Sequence, residues 1–308
     1  MNRLDKYRGI IPAFYACYDD NGRISPVRVK ALASYLVDKG IKGLYVGGSS
    51  GECIYQSVDE RKMVLECVLE AIRGRVAVIA HVACNNTQDS MELARHAQEQ
   101  GVDAIAAIPP IYFHLPPFAI AKYWNDISSA APDTDFIIYN IPQLAGVALD
   151  TALLKEMRKN PRVIGVKNSS MPVQDIQMFL DEGGEDMIVF NGPDEQLLSG
   201  LAAGASGGIG GTYAVMPELY MRIYELFGRG EIEKARVIQN DCCRIIYHMC
   251  SAKANLYAVL KEILKGRGID IGTVRSPLPG LEAEDYKIAA ACEEEISAAV
   301  KKYCEKAG

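Results

Sequence analysis

The stretch VAVIAHVACNNTQDSMELARHAQEQGVDAIAAIP, residues 76–109, contains one strand–helix–strand unit. Its two short apolar runs, at 76–82 and 103–109, have the length and composition of strands that are buried on both faces. The amphipathic segment between them, at 87–101, predicts a helix that ends at Gly101. A strand, a helix and a second strand in this order form the unit from which parallel sheets are built.

The same alternation continues along the chain at intervals of about 20 to 35 residues. Strands are predicted at 9–15, 43–48, 76–82, 103–109, 135–140, 163–167, 187–191 and 206–211. Eight such units predict an α/β fold of the (β/α)8 type, a TIM barrel. The alternative, a doubly wound sheet, usually has fewer strands and a G-x-G-x-x-G turn after the first one. Here a GGSSGE segment follows the second strand instead.

The C-terminal part of the chain is predicted to be helical from about residue 216 onward. Helices are predicted near 216–229, 231–250, 252–266 and 282–305. The first of them completes the barrel, and the other three exceed what a barrel needs. We therefore predict a barrel at 1–229 that carries the active site, followed by a C-terminal helical appendage at 230–308.

Composition and charge argue against several classes of protein. The chain has 308 residues, 49% hydrophobic content and a formal net charge of −6. The absence of a long basic block argues against a nucleic-acid partner, and no apolar run is long enough to span a membrane. Nine irregularly spaced cysteines, and a start without a signal peptide, predict reduced thiols in the cytoplasm. The four histidines are scattered, so no metal site is predicted.

Lys167 is the first candidate for a catalytic residue, because it directly follows the apolar run VIGV at 163–166. In a (β/α)8 barrel, functional side chains lie at the carboxyl ends of the strands, so Lys167 is expected in the mouth of the barrel. Desolvation there would lower the pKa of its amine and free the amine to attack a carbonyl. The alternative is a lysine that ends a strand and points into water.

Two further strand ends add to this hypothesis. Tyr139 precedes Lys167 by one βα unit, so the two side chains should be neighbours, and a phenol beside an amine can shuttle protons. The alternative for Tyr139 is a packed aromatic ring. The GGSSGE turn at 47–52 can form a backbone nest for an anion, and without a basic residue it suits a carboxylate. Alternatively it is an ordinary turn. Together these groups suit a 2-oxo acid held as a Schiff base.

Six segments carry a resemblance to a known family. They are GLYVGGSSGE, AHVAC, IIYNIPQLAGV, VIGVKNSS, FNGPDE and AGASGGIGGTY. In order and spacing, over roughly residues 8 to 280, the chain resembles the superfamily of class I aldolases that contains N-acetylneuraminate lyase and dihydrodipicolinate synthase. The resemblance implies catalytic roles for Lys167 as the Schiff-base lysine, for Tyr139 as the proton-transfer tyrosine, and for Ser49 in its hydroxyl relay. It implies that Tyr112 is lent to a neighbouring subunit's site. Its substrate-binding residues correspond to Ser49, Ser50, Ser169, Gly192, Asp194, Glu195 and Gly211.

Within the superfamily the resemblance is to the lyase branch. The synthase branch has an arginine shortly after the catalytic tyrosine to hold a second carboxylate, and here Leu144 occupies that stretch. Asp194 and Glu195 offer acceptors for the hydroxyls of a sugar, although two acids would also suit a helix N-terminus. The resemblance implies cleavage of N-acetylneuraminate to pyruvate and N-acetylmannosamine by a homotetramer, without a metal or an organic cofactor.

Some residues depart from the lyase pattern and leave alternatives open. Gly211 stands where the lyases commonly have a serine that bonds the sugar tail, and Asn168 and Ser169 replace Gln-Thr. Loss of one hydroxyl removes a hydrogen bond worth about 1 kcal/mol. The alternative functions are a lyase or dehydratase for another 2-oxo-3-deoxy sugar acid, a dihydrodipicolinate synthase, and a non-catalytic protein that binds 2-oxo acids.

Overall fold

In a computed structural model, the protein is described from residue 3 to residue 305. Eight strands form one parallel sheet: β1 Gly9–Pro12, β2 Gly43–Val46, β3 Ala77–His81, β4 Ala104–Ala107, β5 Asp135–Asn140, β6 Val163–Asn168, β7 Ile188–Asn191 and β8 Gly207–Gly210. Consecutive strands pair from β2 to β8, and β8 pairs with β1. The N–H of Lys42 donates to the carbonyl of Ile10 over 3.0 Å, which joins β1 to the start of β2. The sheet therefore closes, and the predicted (β/α)8 barrel is confirmed.

The helices surround the barrel and extend beyond it. They are α1 Pro26–Asp38, α2 Val58–Ile72, α3 Thr87–Glu99, α4 Pro117–Ala130, α5 Pro142–Ala145, α6 Thr151–Met157, α7 Gln174–Gly183, α8 Leu197–Ala202, α9 Pro217–Gly228, α10 Ile232–Met249, α11 Leu256–Gly266 and α12 Ala283–Tyr303. All five helices for which the sequence predicted bounds are present. α11 begins later than predicted, because the side chain of Asn255 caps it by accepting the N–H of Tyr257 over 2.9 Å.

Two apolar layers hold these elements together. One fills the inside of the barrel and includes Tyr45, Ile137 and Ile188. The other lies between the strands and the helices and includes Trp124 and Phe136. Because parallel strands are covered on both faces, their sequences are almost continuously apolar, as the run at 76–82 shows.

Helices α10, α11 and α12 form the predicted C-terminal helical appendage. α10 and α11 contribute Ile246, Cys250, Leu256 and Tyr257 to the cavity at the carboxyl ends of the strands. The division of the chain into a barrel at 1–229 and an extension from 230 stays a prediction.

Two further features concern the described chain. No helix between residues 3 and 305 is long and apolar enough to cross a membrane. All nine cysteines lie within this range and are free thiols.

Candidate active site

A cavity of about 300 Å³ opens at the carboxyl ends of the strands, bordered by α10 and α11. It brings together nine of the ten residues predicted to form the site: Ser49, Ser50, Tyr139, Lys167, Ser169, Gly192, Asp194, Glu195 and Gly211. These residues lie at the ends of five different strands or in the loops that follow them. The tenth, Tyr112, does not line this cavity.

Lys167 lies in β6, opposite Tyr139 in the register between β5 and β6, and only 4% of its surface is exposed. Its Nζ is 3.8 Å from the ring centroid of Tyr139 and 4.1 Å from that of Tyr45. Burial lowers the pKa of the amine to about 7, although the nearby Asp194 and Cys53 act in the opposite direction. A large share of the amine is therefore neutral and nucleophilic at neutral pH.

A β-bulge in β6 aims Lys167 into the barrel. The register between β5 and β6 shifts by one residue between Val163 and Gly165. Val163 and Val166 belong to the apolar layer outside the barrel, and Ile164 to the layer inside it. Strict alternation starting from Val163 would direct Lys167 outward, toward the helices. The extra residue reverses the direction of the side chains that follow it.

Tyr139 is buried beside the amine. Burial raises the pKa of its phenol to about 12, and interactions with the hydroxyls of Ser49 and Ser169 act in the opposite direction. The phenol is therefore protonated at neutral pH. Its position next to Lys167 and to two further hydroxyl groups suits it to pass protons to and from a reacting group.

Buried polar side chains fix the position of the turn that follows β2. Residues Ser49–Gly51 form a single turn of 3-10 helix, and Glu52 has a left-handed backbone with φ of 53°. The Nδ1–H of His81 donates to the carbonyl of Gly47 over 2.9 Å, and Arg61 donates to the carbonyl of His81 over 2.7 Å. These contacts place the hydroxyls of the turn before any ligand arrives.

Asp194 lines the cavity, and one of its two carboxylate oxygens lacks a partner among the described residues. Its Oδ2 accepts the backbone N–H and the hydroxyl of Thr212, each over 2.6 Å. Its Oδ1 is buried and has no hydrogen-bond partner within residues 3–305. Burial raises the pKa of this carboxyl to about 6. The neighbouring Glu195 is exposed. Oδ1 lies against Gly210, where a Cβ would come within 2.1 Å of it, so a ligand hydroxyl would reach this oxygen only after a local shift.

Gly192 brings the ends of β6 and β7 together. A Cβ at this position would fall 2.0 Å from Oγ of Ser169, so no other residue fits without displacing that side chain. Gly211 differs: a Cβ there would make only ordinary contacts, at 3.5 Å from Oγ of Ser50 and from the hydroxyl of Tyr257.

The charge of the cavity wall limits what it can bind. Among the described residues that line it, Lys167 is the only basic one. Leu144 and Met171 form part of the rim and are 59% and 63% exposed. A ligand with two carboxylates would leave its second charge without a basic partner.

Tyr112 lies away from the cavity, in the loop between β4 and α4. It is 87% exposed, has a positive φ of 85°, and packs edge-on against Phe113 at 5.0 Å between ring centroids. Positive φ is costly for a tyrosine. Within this chain Tyr112 does not meet Lys167, so its assignment to a neighbouring subunit's site stays a prediction.

Sequence reasoning missed three residues of the site. Tyr45 packs against Lys167, Thr212 binds Asp194, and Tyr257 lines the cavity from α11. Tyr45 lies within a predicted strand and Thr212 directly follows one, so their hydroxyl groups could have been recognised as candidates from the sequence. Tyr257 had no such signal, because nothing local indicates where α11 packs.

A (β/α)8 barrel with a desolvated lysine at its mouth has the features of the class I aldolase superfamily that the sequence motifs indicated. The chain belongs to the dihydrodipicolinate synthetase family, whose model matches residues 6–295. This confirms the superfamily that the six motifs indicated.

Individual relatives are more specific. The chain is 63% identical over 304 residues to the N-acetylneuraminate lyase of Mediterraneibacter gnavus, covering 98% of this chain and 96% of that protein. It is 34% identical to an Escherichia coli N-acetylneuraminate lyase, over 83% of this chain and 86% of that one. The solved structure of a catalytic lysine mutant of Ruminococcus gnavus sialic acid aldolase is 62% identical and superposes with a TM-score of 0.97, covering 98% of this chain and 100% of that one.

Proposed function

We propose that this protein is a class I aldolase that cleaves N-acetylneuraminate to pyruvate and N-acetylmannosamine. The observation that carries the proposal is the buried amine of Lys167, with its pKa lowered to about 7, beside Tyr139 in a cavity that has no other basic residue among those that line it. The similarity to N-acetylneuraminate lyases supports the choice of substrate. The proposed chemistry requires neither a metal nor an organic cofactor.

The first step is formation of the Schiff base. The neutral amine of Lys167 attacks the C2 ketone of the open-chain sugar acid and forms a carbinolamine. Loss of water then gives an iminium ion, with Tyr139 as the proton donor to the departing hydroxyl. The turn that contains Ser49 and Ser50 holds the substrate carboxylate through its hydroxyls and backbone N–H groups.

The second step breaks the C3–C4 bond. The C4 hydroxyl loses its proton, the bonding electrons move to the iminium nitrogen, and the C4 aldehyde of N-acetylmannosamine leaves. Tyr139 became a phenolate when it protonated the departing hydroxyl, and this phenolate now accepts the proton of the C4 hydroxyl, which restores the phenol with its pKa of about 12. The hydroxyl of Ser49 and the substrate carboxylate can relay the proton between the two oxygens. The enamine that remains is protonated at C3, and hydrolysis releases pyruvate and the free amine.

The sugar tail is assigned to the part of the cavity that Asp194 and Glu195 line. The carboxylate of Asp194 has one oxygen without a partner among residues 3–305, and Glu195 is exposed. Ser169 and Gly192 border the path between this wall and Lys167. Hydroxyl groups suit acidic acceptors, whereas a second carboxylate would be repelled by them. This wall therefore disfavours the synthase alternative.

Assembly and location are extensions of the same proposal. A homotetramer would allow the exposed Tyr112 of one subunit to reach the cavity of another. Nine free thiols are typical of a reducing compartment, which supports a cytoplasmic location.

The test is a cleavage assay on the purified protein, with pyruvate measured by a coupled dehydrogenase. The value of kcat/KM for N-acetylneuraminate should exceed that for 2-oxo-3-deoxygluconate. Lys167→Arg should abolish cleavage and also abolish the adduct that borohydride traps with pyruvate, because a guanidinium is no nucleophile. A higher kcat/KM for the shorter acid would show that the proposed substrate is wrong, while the proposed Schiff-base chemistry would remain. Binding of pyruvate without a trapped adduct would favour the non-catalytic alternative.

A further inference from the structure

A pair of hydroxyl groups in the cavity has one more proton than its mutual hydrogen bond uses. Oγ of Ser50, in the turn after β2, lies 3.0 Å from the hydroxyl of Tyr257, in the first turn of α11. Two hydroxyls carry two protons, and the bond between them uses one. Within residues 3–305 neither group has another hydrogen-bond acceptor, and both residues line the cavity. One O–H is therefore left to donate to a ligand.

Space for that ligand is available next to the pair. Gly211 has no side chain, and a Cβ there would lie 3.5 Å from both hydroxyl oxygens. The hydroxyl of Tyr15 donates to the carbonyl of Gly211 over 2.5 Å and holds this segment in place. The absence of a side chain at 211 thus leaves the hydroxyls of Ser50 and Tyr257 open to the cavity.

A buried ion pair holds the same two segments together. Lys261 lies one helical turn after Tyr257, and Glu52 lies two residues after Ser50. The Nζ of Lys261 is 2.7 Å from Oε1 of Glu52, and their side chains are 1% and 0% exposed. The lysine also donates to the carbonyl of Thr273 over 2.9 Å. The position of Tyr257 beside Ser50 is therefore fixed by the core as well as by their own bond.

The position of the pair identifies the group that the spare proton meets. Burial raises the pKa of the Tyr257 phenol, which therefore stays a donor at any physiological pH. The proposed function places the substrate carboxylate at the turn that contains Ser50, so the spare O–H of the pair lies beside an anionic acceptor, which donors favour. Resting on the proposed function, we propose that Tyr257, together with Ser50, binds the carboxylate of the 2-oxo acid and so restricts the enzyme to substrates that carry a carboxylate beside the ketone.

The experiment compares a charged ketone with an uncharged one. The concentration of pyruvate needed for half-maximal trapping by cyanoborohydride on Lys167 is measured, and the same is done with methyl pyruvate, whose ester has no charge. Tyr257→Phe should raise the pyruvate concentration about 10- to 100-fold, the loss expected for a hydrogen bond to a charged group. The same variant should change the concentration of methyl pyruvate needed for half-maximal trapping by less than about threefold. Tyr123→Phe removes a hydroxyl that donates to the backbone carbonyl of Cys84 over 2.6 Å in another part of the fold, and it should change neither value.

Two further variants keep the test decisive. Ser50→Ala should shift the pyruvate value in the same direction as Tyr257→Phe. Adding Gly211→Ser to Tyr257→Phe should recover part of the loss, because the new hydroxyl would lie beside the vacated position. Thermal melting of each variant checks that it is folded.

The failures are distinguishable. If the wild-type protein traps pyruvate and Tyr257→Phe traps it at the same concentration, the role of Tyr257 is wrong and the proposed function stands. Equal losses for pyruvate and methyl pyruvate would also overturn it, because they would mean that the hydroxyl only orders the cavity. If the wild-type protein traps neither ketone, the proposed function fails together with this inference.

Discussion

At the scale of single residues, two competing effects set the reactivity of Lys167. The rings of Tyr139 and Tyr45 lie about 4 Å from its Nζ and favour the ammonium form through cation–π attraction. Burial favours the neutral amine and lowers its pKa to about 7. The rings therefore contribute shape and exclude water, while desolvation makes the amine a nucleophile.

This balance predicts a pH dependence for imine formation. With a pKa of about 7, the neutral fraction of Lys167 increases about tenfold between pH 6 and pH 8. The initial rate of trapping with subsaturating pyruvate and cyanoborohydride should rise by that factor and level off above pH 8. The rate is measured by intact mass at each pH, with free lysine as the control for the reagent. A flat profile over this range would contradict the lowered pKa.

A second prediction at this scale separates the hydroxyl of Tyr139 from its ring. Tyr139→Phe keeps the ring over Lys167 and removes the proton-transfer group, so kcat for cleavage should fall about 10²- to 10⁴-fold. Trapping of pyruvate should persist but become slower, because the phenol also donates the proton when the carbinolamine loses water. Tyr45→Phe is the matched control, since its ring also contacts the amine and its hydroxyl has no partner within residues 3–305. Its loss in kcat should be at least tenfold smaller. Equal losses would assign the effect to packing.

At the scale of the element, strand β6 owes its function to the bulge that includes Ile164 and Gly165. The bulge inserts one residue into β6 relative to β5, and Lys167 consequently faces the cavity. Gly165 is required at this point because a Cβ would lie 2.3 Å from the carbonyl oxygen of Ile188 in β7. The register of β6 and its contact with β7 are thus coupled.

Gly165→Ala tests this coupling. The clash should lower the free energy of unfolding by about 1 to 3 kcal/mol, the range for overpacking a core. It should also reduce trapping at Lys167 in the folded fraction, because β6 must move to relieve the contact. Gly228→Ala, at the exposed end of α9 with no atom within 4 Å of the new Cβ, should be neutral. Denaturant melts with both variants provide the measurement. A Gly165→Ala protein as stable and reactive as the wild type would disprove the coupling.

At the scale of the whole molecule, the buried amine costs stability. The folded protein holds the Lys167 proton with a pKa of about 7, whereas the unfolded chain holds it at the ordinary value near 10.5. Below pH 7 both states are protonated and the cost is complete. Between pH 7 and about pH 10 the unfolded state binds more protons, so this residue's contribution to stability improves as pH rises.

Lys167→Met should therefore stabilise the fold while abolishing activity. At pH 7 the gain should be about 1 to 4 kcal/mol, since each pKa unit corresponds to 1.36 kcal/mol. The gain should shrink as pH is raised from 7 toward 10. Lys155→Met, at an exposed lysine, should change stability by less than about 0.5 kcal/mol. Denaturant melts at pH 7 and pH 9 provide the comparison. An unchanged or lower stability for Lys167→Met at pH 7 would contradict a desolvated amine.

The same scale separates what local sequence determines from what packing determines. Strands, helices and the strand-end residues were predictable because apolar periodicity and capping are local properties, as the capping box of Ser57 and Glu60 illustrates. The barrel followed from the repetition of those units. The residues of the site also followed, because the carboxyl ends of parallel strands converge at one end of a barrel.

Contacts between distant segments were decided by the tertiary structure alone. The bond between Ser50 and Tyr257 joins residues 207 positions apart, and the Glu52–Lys261 pair joins residues 209 apart. No periodicity in either segment specifies such a pairing, because it depends on how α11 packs on the finished barrel. The direction of Lys167 was likewise open, since alternation in the apolar run at 163–166 directs the lysine outward and only pairing with the neighbouring strands introduces the bulge. Local sequence was sufficient to specify the secondary-structure elements, the family and the reacting groups. Packing decided which way the lysine faces and which helix completes the cavity, because both depend on many long-range contacts that form together.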